Sequence, residues 1–125
     1  LWKKFEEDEM KVAVSAVNRD ENTYLDPRFG RANCFYVFDT ESGEGEFVNN
    51  TQNFNAPHGA GIQTAQMIAE KGVEAVITGH VGPKASAVLE KENISIYIAD
   101  KADILVPDAL VLFREGKLKR AEGVS

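Results

Sequence analysis

The sequence predicts an α/β domain built on one mixed sheet, and three stretches carry that prediction. His58 to Ala99 parses as helix, strand, helix, strand, the pattern of parallel strands joined by crossover helices. Lys11 to Val17, KVAVSAV, is a valine-rich run suited to a central strand. Cys34 to Asn50 reads as a β-hairpin, with the strongly β-prone CFYVFD before the turn ESGEG.

Taken in order, residues 1–9, LWKKFEEDE, are mostly charged and carry no helix or strand signals. They are expected to be a disordered extension ahead of a natural start at Met10. A short frayed helix resting Trp2 and Phe5 on the domain is the alternative. After the first strand, Asn18 to Asn33 forms a connection too long for a minimal turn, and loops of that length are usually functional or mobile. Cys34 to Asp39 is the second strand and Glu46 to Asn50 the third. Thr51 to Pro57 reads as a polar loop.

In the first helix, Ile62, Ala65, Ile68 and Ala69 follow the helical period, and Gly72 supplies a left-handed stop. Ala75 to Ile77 is an apolar run of the kind buried on both faces of a sheet. Pro83 suits the first turn of the next helix, Ala85, Val88 and Leu89 give it an inner face, and Asn93 ends it. Ser95 to Ala99 is the fifth strand. Pro107 opens a third helix, which turns Val106, Leu110 and Phe113 inward and stops at Gly116. Lys117 to Ser125 is polar, so the domain is drawn as 10–118, with 119–125 as a flexible tail.

With the first strand central, this order gives a five-stranded sheet 3-2-1-4-5 in which strand 2 runs antiparallel. The ends of strands 1, 3, 4 and 5 and the beginning of strand 2 then share one edge. The loops DPRFGR, NAPHGAG and TGHVGPK converge there, with Cys34 beside them. Two helices also begin at that edge, and their unpaired N–H groups favour an anion.

Composition narrows the classes. A chain of 125 residues is one domain with a genuine core. No run approaches the ~20 apolar residues of a membrane span. The single cysteine forbids an internal disulfide and fits a reducing cytoplasm. A net charge of −6 argues against nucleic acid as partner.

Several residues could carry chemistry. Arg28 and Arg31 flank a turn shaped by Pro27 and Gly30 and can offer guanidinium donors to an anion. Equally, Asp26 can pair with one arginine while Phe29 plugs the core. Cys34 is a candidate thiolate ligand if cations and helix starts lower its pKa. The commoner fate of a free cysteine is a small buried hydrophobe. His58 and His80 are candidate metal ligands alongside it, although no CxxC or HxxH spacing marks a closed site. Gly59, Gly61 and Gly82, with Lys84, can cradle an anion through backbone amides and charge, or merely permit tight turns. GxGxxG, Walker and GxSxG patterns are absent, so we expect no enzyme.

DPRFGRA, HGAGIQTAQMIAEKGVEAVITGHVGPKA and the terminal EGKL together resemble the nitrogenase iron–molybdenum cofactor biosynthesis family, from Met10 to about Leu118. The resemblance implies a three-layer, ribonuclease H-like fold. It also implies a small accessory protein that binds or carries iron–sulfur or iron–molybdenum clusters, in its minimal, stand-alone form. One cysteine is too few to build a cluster in place, whereas a preassembled cluster bound loosely needs one or two protein ligands. A cluster donor or acceptor protein would be the partner, and the chain a monomer or weak dimer. The alternative is a non-catalytic module for a small anion, a nucleotide or a regulatory protein. A ribonuclease H-type nuclease is disfavoured, because KVAVSAV carries no carboxylate to hold metal.

Overall fold

In the computed structural model, which describes residues 10–54, 57–101 and 103–121, six strands form one mixed sheet ordered β3-β2-β1-β4-β5-β6. The strands are β1 (Lys11–Ala16), β2 (Cys34–Asp39), β3 (Gly45–Asn49), β4 (Val73–Thr78), β5 (Ser95–Ile98) and β6 (Lys119–Arg120). The helices are α1 (Thr51–Phe54), α2 (Ala60–Glu70), α3 (Pro83–Lys91) and α4 (Val106–Arg114). β1 pairs antiparallel with β2 and parallel with β4, so the valine-rich strand is central as expected.

Burial on both faces explains the composition of β1. Ala13 joins Phe35, Val37 and Val76 under α2 and α3, where Ala65, Ile68, Ala85 and Leu89 complete a core. Val12, Val14 and Ala16 point the other way, with Ala75 and Ile77, against Val106, Ala109 and Leu110 of α4. Period-two alternation thus feeds two cores and gives three layers. The α2 and α3 stops behave as their sequences indicate: Gly72 has φ 76° and Asn93 φ 62°. Asn takes the left-handed region at lower cost than most side chains.

The register assembles one functional edge. Ala16 sits opposite Cys34, Cys34 opposite Asn49, and Thr78 beside Ile98. The long connection after β1 is folded onto this edge rather than loose. It makes bridges from Ala16 to Leu25, Tyr24 to Leu105 and Arg28 to His80.

Two expectations change. The supposed tail from residue 119 begins with β6, which runs antiparallel to β5, and the Ala121 amide donates to the Ile96 carbonyl at 2.8 Å. Backbone pairing at a sheet edge needs no apolar pattern, so this polar segment gave no sign of it. The polar loop after β3 opens instead with α1. Expectations for residues 1–9 and 122–125 lie outside the described residues. Among the described residues no helix is long and apolar enough to cross a membrane.

Candidate functional site: a cationic cleft at the carboxyl edge

The arginine turn is anchored before it presents anything. Ser15, wholly buried on β1, accepts the Asp26 amide on its carbonyl at 2.9 Å. Its hydroxyl donates to the Asp26 carbonyl at 2.5 Å and lies 2.7 Å from the Thr78 hydroxyl. Asp26, 3% exposed, then turns its carboxylate onto the next residues. It accepts the Arg28 amide at 2.9 Å, and both Nε and Nη2 of Arg28 at 3.1 Å. This fork of hydrogen bonds, with the charge of Asp26, raises the Arg28 pKa above the usual arginine range. Phe29, 1% exposed, meets Phe35 edge-on at 5.4 Å. Of the readings open for this turn, the Asp26–Arg28 pair and the Phe29 plug are both realised.

Close backbone approach fixes the turn against its neighbours. A Cβ on Gly79 would lie 2.8 Å from the Pro27 Cα, and a Cβ on Gly30 would lie 2.7 Å from the Gly61 Cα. The Phe29 amide donates to the His80 carbonyl at 3.2 Å. The turn is therefore wedged between the exit of β4 and the start of α2, and glycine is required at both contacts.

These contacts bound a cleft of about 550 Å³. Arg28, Arg31, Gly59, Gly61, His80, Gly82 and Lys84 line it, together with the first residues of α2 and α3. No side chain caps either helix, and Pro83 stands in the first turn of α3. The opening amides of each helix lack intrahelical acceptors, so both present donors and the positive end of a helix dipole. The lining contains three cations and no Asp or Glu, within a chain of net charge −6.

The expected meeting of Cys34, His58 and His80 is corrected by the structure. Only His80 lines the cleft. His58 is exposed near Gly59 but outside the lining. Cys34 is fully buried on the α4 face, its Sγ 3.9 Å from the Ala16 carbonyl oxygen. Burial pushes its thiol upward in pKa, outweighing the opposing charge of Arg19, so the cations at the edge do not make it a thiolate. Strand alternation is the cause: Phe35 and Val37 face α2 and α3, which turns Cys34 to the other layer. Among the described residues no group of three or more His, Cys, Asp or Glu could hold a metal ion.

Beneath the cleft lies a polar brace that no sequence period marks. Asn50 and Thr64 are wholly buried, and their side chains tie the carbonyls around Arg31 to α2. The sequence assigns Asn50 to the end of the third strand, and only its burial singles it out.

Comparison with known proteins bears on the family and the fold. A family model described as dinitrogenase iron–molybdenum cofactor matches residues 10–116. An uncharacterized protein of Methanocaldococcus jannaschii is 37% identical over 116 residues, spanning 90% of this chain and 92% of its own. The apo form of the orange protein from Desulfovibrio gigas superposes with a TM-score of 0.87 at 34% identity, covering 94% of this chain and 97% of that one. A putative NifB protein from Thermotoga gives a TM-score of 0.77, also at 34% identity, over 88% and 91% of the two chains.

Proposed function

The chain belongs to the dinitrogenase iron–molybdenum cofactor family, and from that premise we propose that it carries a preassembled, negatively charged metal–sulfur cluster in its carboxyl-edge cleft. The cluster is of iron–sulfur or iron–molybdenum type and is cargo. The observation that carries the reading is the make-up of the cleft: in a net acidic chain, Arg28, Arg31 and Lys84 share a lining without Asp or Glu, and the buried Asp26 that pairs with Arg28 stands outside it.

The donor set decides how such cargo is held. A cluster assembled by protein thiolates calls for about four cysteines, and the one cysteine here is buried away from the cleft. A cluster that brings its own sulfides needs charge balance and hydrogen-bond donors instead. Arg31 and Lys84 supply charge, and the starts of α2 and α3 supply backbone N–H groups. Arg28 is held by Asp26 and offers its remaining N–H edge. His80 is the one imidazole of the lining and the candidate direct ligand. Seating through charge and hydrogen bonds permits release to an acceptor protein, which a carrier requires. We place this exchange in the reducing cytoplasm.

The test is anaerobic loading of the full chain with iron, sulfide and molybdate, or with an isolated cluster, followed by gel filtration and visible absorption. Wild type is expected to retain a stoichiometric chromophore that salt weakens, and Arg31→Glu/Lys84→Glu to lose it. Equal behaviour of the two proteins would overturn the reading. A melting temperature raised by phosphate or nucleotide alone, without a chromophore, would favour the small-anion module instead.

A further inference from the structure

We propose that Asn50, acting with Thr64, is a positioning residue for the cleft, locking the Arg31 turn in place against the start of α2. The inference rests on the anion-binding reading above and extends it to residues that touch no cargo.

Asn50 follows the last residue of β3 and is 0% exposed. Its amide nitrogen Nδ2 donates to the Ala32 carbonyl at 2.8 Å and to the Gly30 carbonyl at 3.4 Å. These carbonyls lie on either side of Arg31, so one amide holds that residue's backbone from both flanks. Its Oδ1 accepts from Asn53 Nδ2 at 2.9 Å and from the Thr64 hydroxyl at 3.1 Å. The Asn50 backbone N–H adds a bond to the Asn33 carbonyl at 3.0 Å. Both donors and the acceptor of the side chain are thus engaged, which fixes its orientation.

Thr64 links this amide to the helix that opens the cleft. It is wholly buried on α2, and its hydroxyl also lies 3.4 Å from the Gly30 carbonyl. One hydroxyl proton serves two acceptors, so the hydroxyl bridges turn and helix. Above the brace, Gly30 and Gly61 already meet at backbone distance. Arg31 and the first amides of α2 are therefore set relative to one another by a buried polar network, which rigidifies strongly when every member is satisfied. Donors held in place before the ligand arrives need less ordering when it binds.

The experiment uses the full chain with inorganic phosphate as probe, and compares wild type, Thr64→Val, Thr64→Ser and Asn50→Asp. Valine keeps the shape of threonine without the hydroxyl, and serine keeps the hydroxyl. Phosphate affinity is read by titration. Backbone amide exchange is read at Phe29 and Asn50, whose acceptors are the His80 and Asn33 carbonyls, relative to amides within β1 and β4. Thr64→Val is expected to weaken phosphate binding by roughly three- to tenfold, the weight of one hydrogen bond, and to speed exchange at both amides. Thr64→Ser is expected to restore both. Asn50→Asp, which sets a carboxylate against two carbonyls, is expected to exceed Thr64→Val in each readout. Unchanged exchange in Thr64→Val, or equal losses in the valine and serine variants, would overturn the proposal. If wild type does not bind phosphate, the small-anion module fails while the cluster reading stands or falls by its own loading test, and the exchange rates still decide whether the brace holds the turn.

Discussion

Replacing Gly30 by alanine tests whether the two banks of the cleft are in backbone contact. The added Cβ would lie 2.7 Å from the Gly61 Cα and 2.9 Å from its nitrogen. Ordinary contact begins near 3.4 Å, so the banks must part by roughly 0.7 Å. Neither side is a flexible side chain. The turn is held by the Phe29–His80 hydrogen bond and the Asn50 amide, and Gly61 lies in the first turn of α2. Overpacking of this kind costs about 1–3 kcal/mol. Gly43→Ala is the matched control. Its φ of 78° penalises a side chain, yet nothing lies within 4 Å of its added Cβ, and it sits in the hairpin turn. Its expected cost is about 1–2 kcal/mol. Urea denaturation followed by far-ultraviolet circular dichroism gives both losses. Cluster loading separates the pair: Gly30→Ala is expected to load poorly and Gly43→Ala normally. Wild-type stability and loading in Gly30→Ala would refute the claim that the banks are wedged together.

Three further substitutions probe other parts of the account. Lys84→Glu places an anion in the first turn of α3, where the helix dipole favours it, so stability is expected to hold or rise by about 0.3–1 kcal/mol while cluster loading falls; loss of both together would contradict the assigned role. Asp26→Asn removes the ion pair with Arg28 and is expected to cost only about 1 kcal/mol in urea titration, because the Arg28 side chain is 66% exposed. Cys34→Ala is expected to load normally and to lose about 1 kcal/mol, as for a methyl-sized core deletion. Burial raises the Cys34 pKa, so the folded chain holds that proton more tightly than the unfolded one. The associated stability is complete below the unfolded thiol's pKa, near 8.5, and is lost as pH rises toward the folded value. Thermal melts from about pH 8 to 10 are expected to fall more steeply for wild type than for Cys34→Ala. Tyr36, also raised by burial, titrates in both proteins and cancels from the comparison.

Much of this architecture is readable in the chain because its signals are local and periodic. The valine run of β1, the hairpin around ESGEG and the helix stops at Gly72 and Asn93 each follow from backbone preference and burial. Together they force β1 to the centre of the sheet. The convergence of the arginine and glycine turns then follows from strand direction alone. What escaped depends on features without a sequence period. β6 is held by main-chain pairing of polar residues. The Asn50 brace is recognisable only once its burial is seen. Cys34 stands at the expected edge as the small buried hydrophobe that a free cysteine usually is, and alternation from Phe35 and Val37 tells which layer it enters.

The most direct test is to compare the backbone amide resonances of the full chain before and after anaerobic loading. Shifts or broadening are expected at Arg28 to Arg31, at Gly59 to Ile62 and, Pro83 having no amide, at the remaining residues from His80 to Ala85, with the hairpin turn at Glu41 to Gly45 unaffected. Perturbation centred instead on Cys34 and the α4 layer, with the arginine turn unmoved, would contradict the carrier reading.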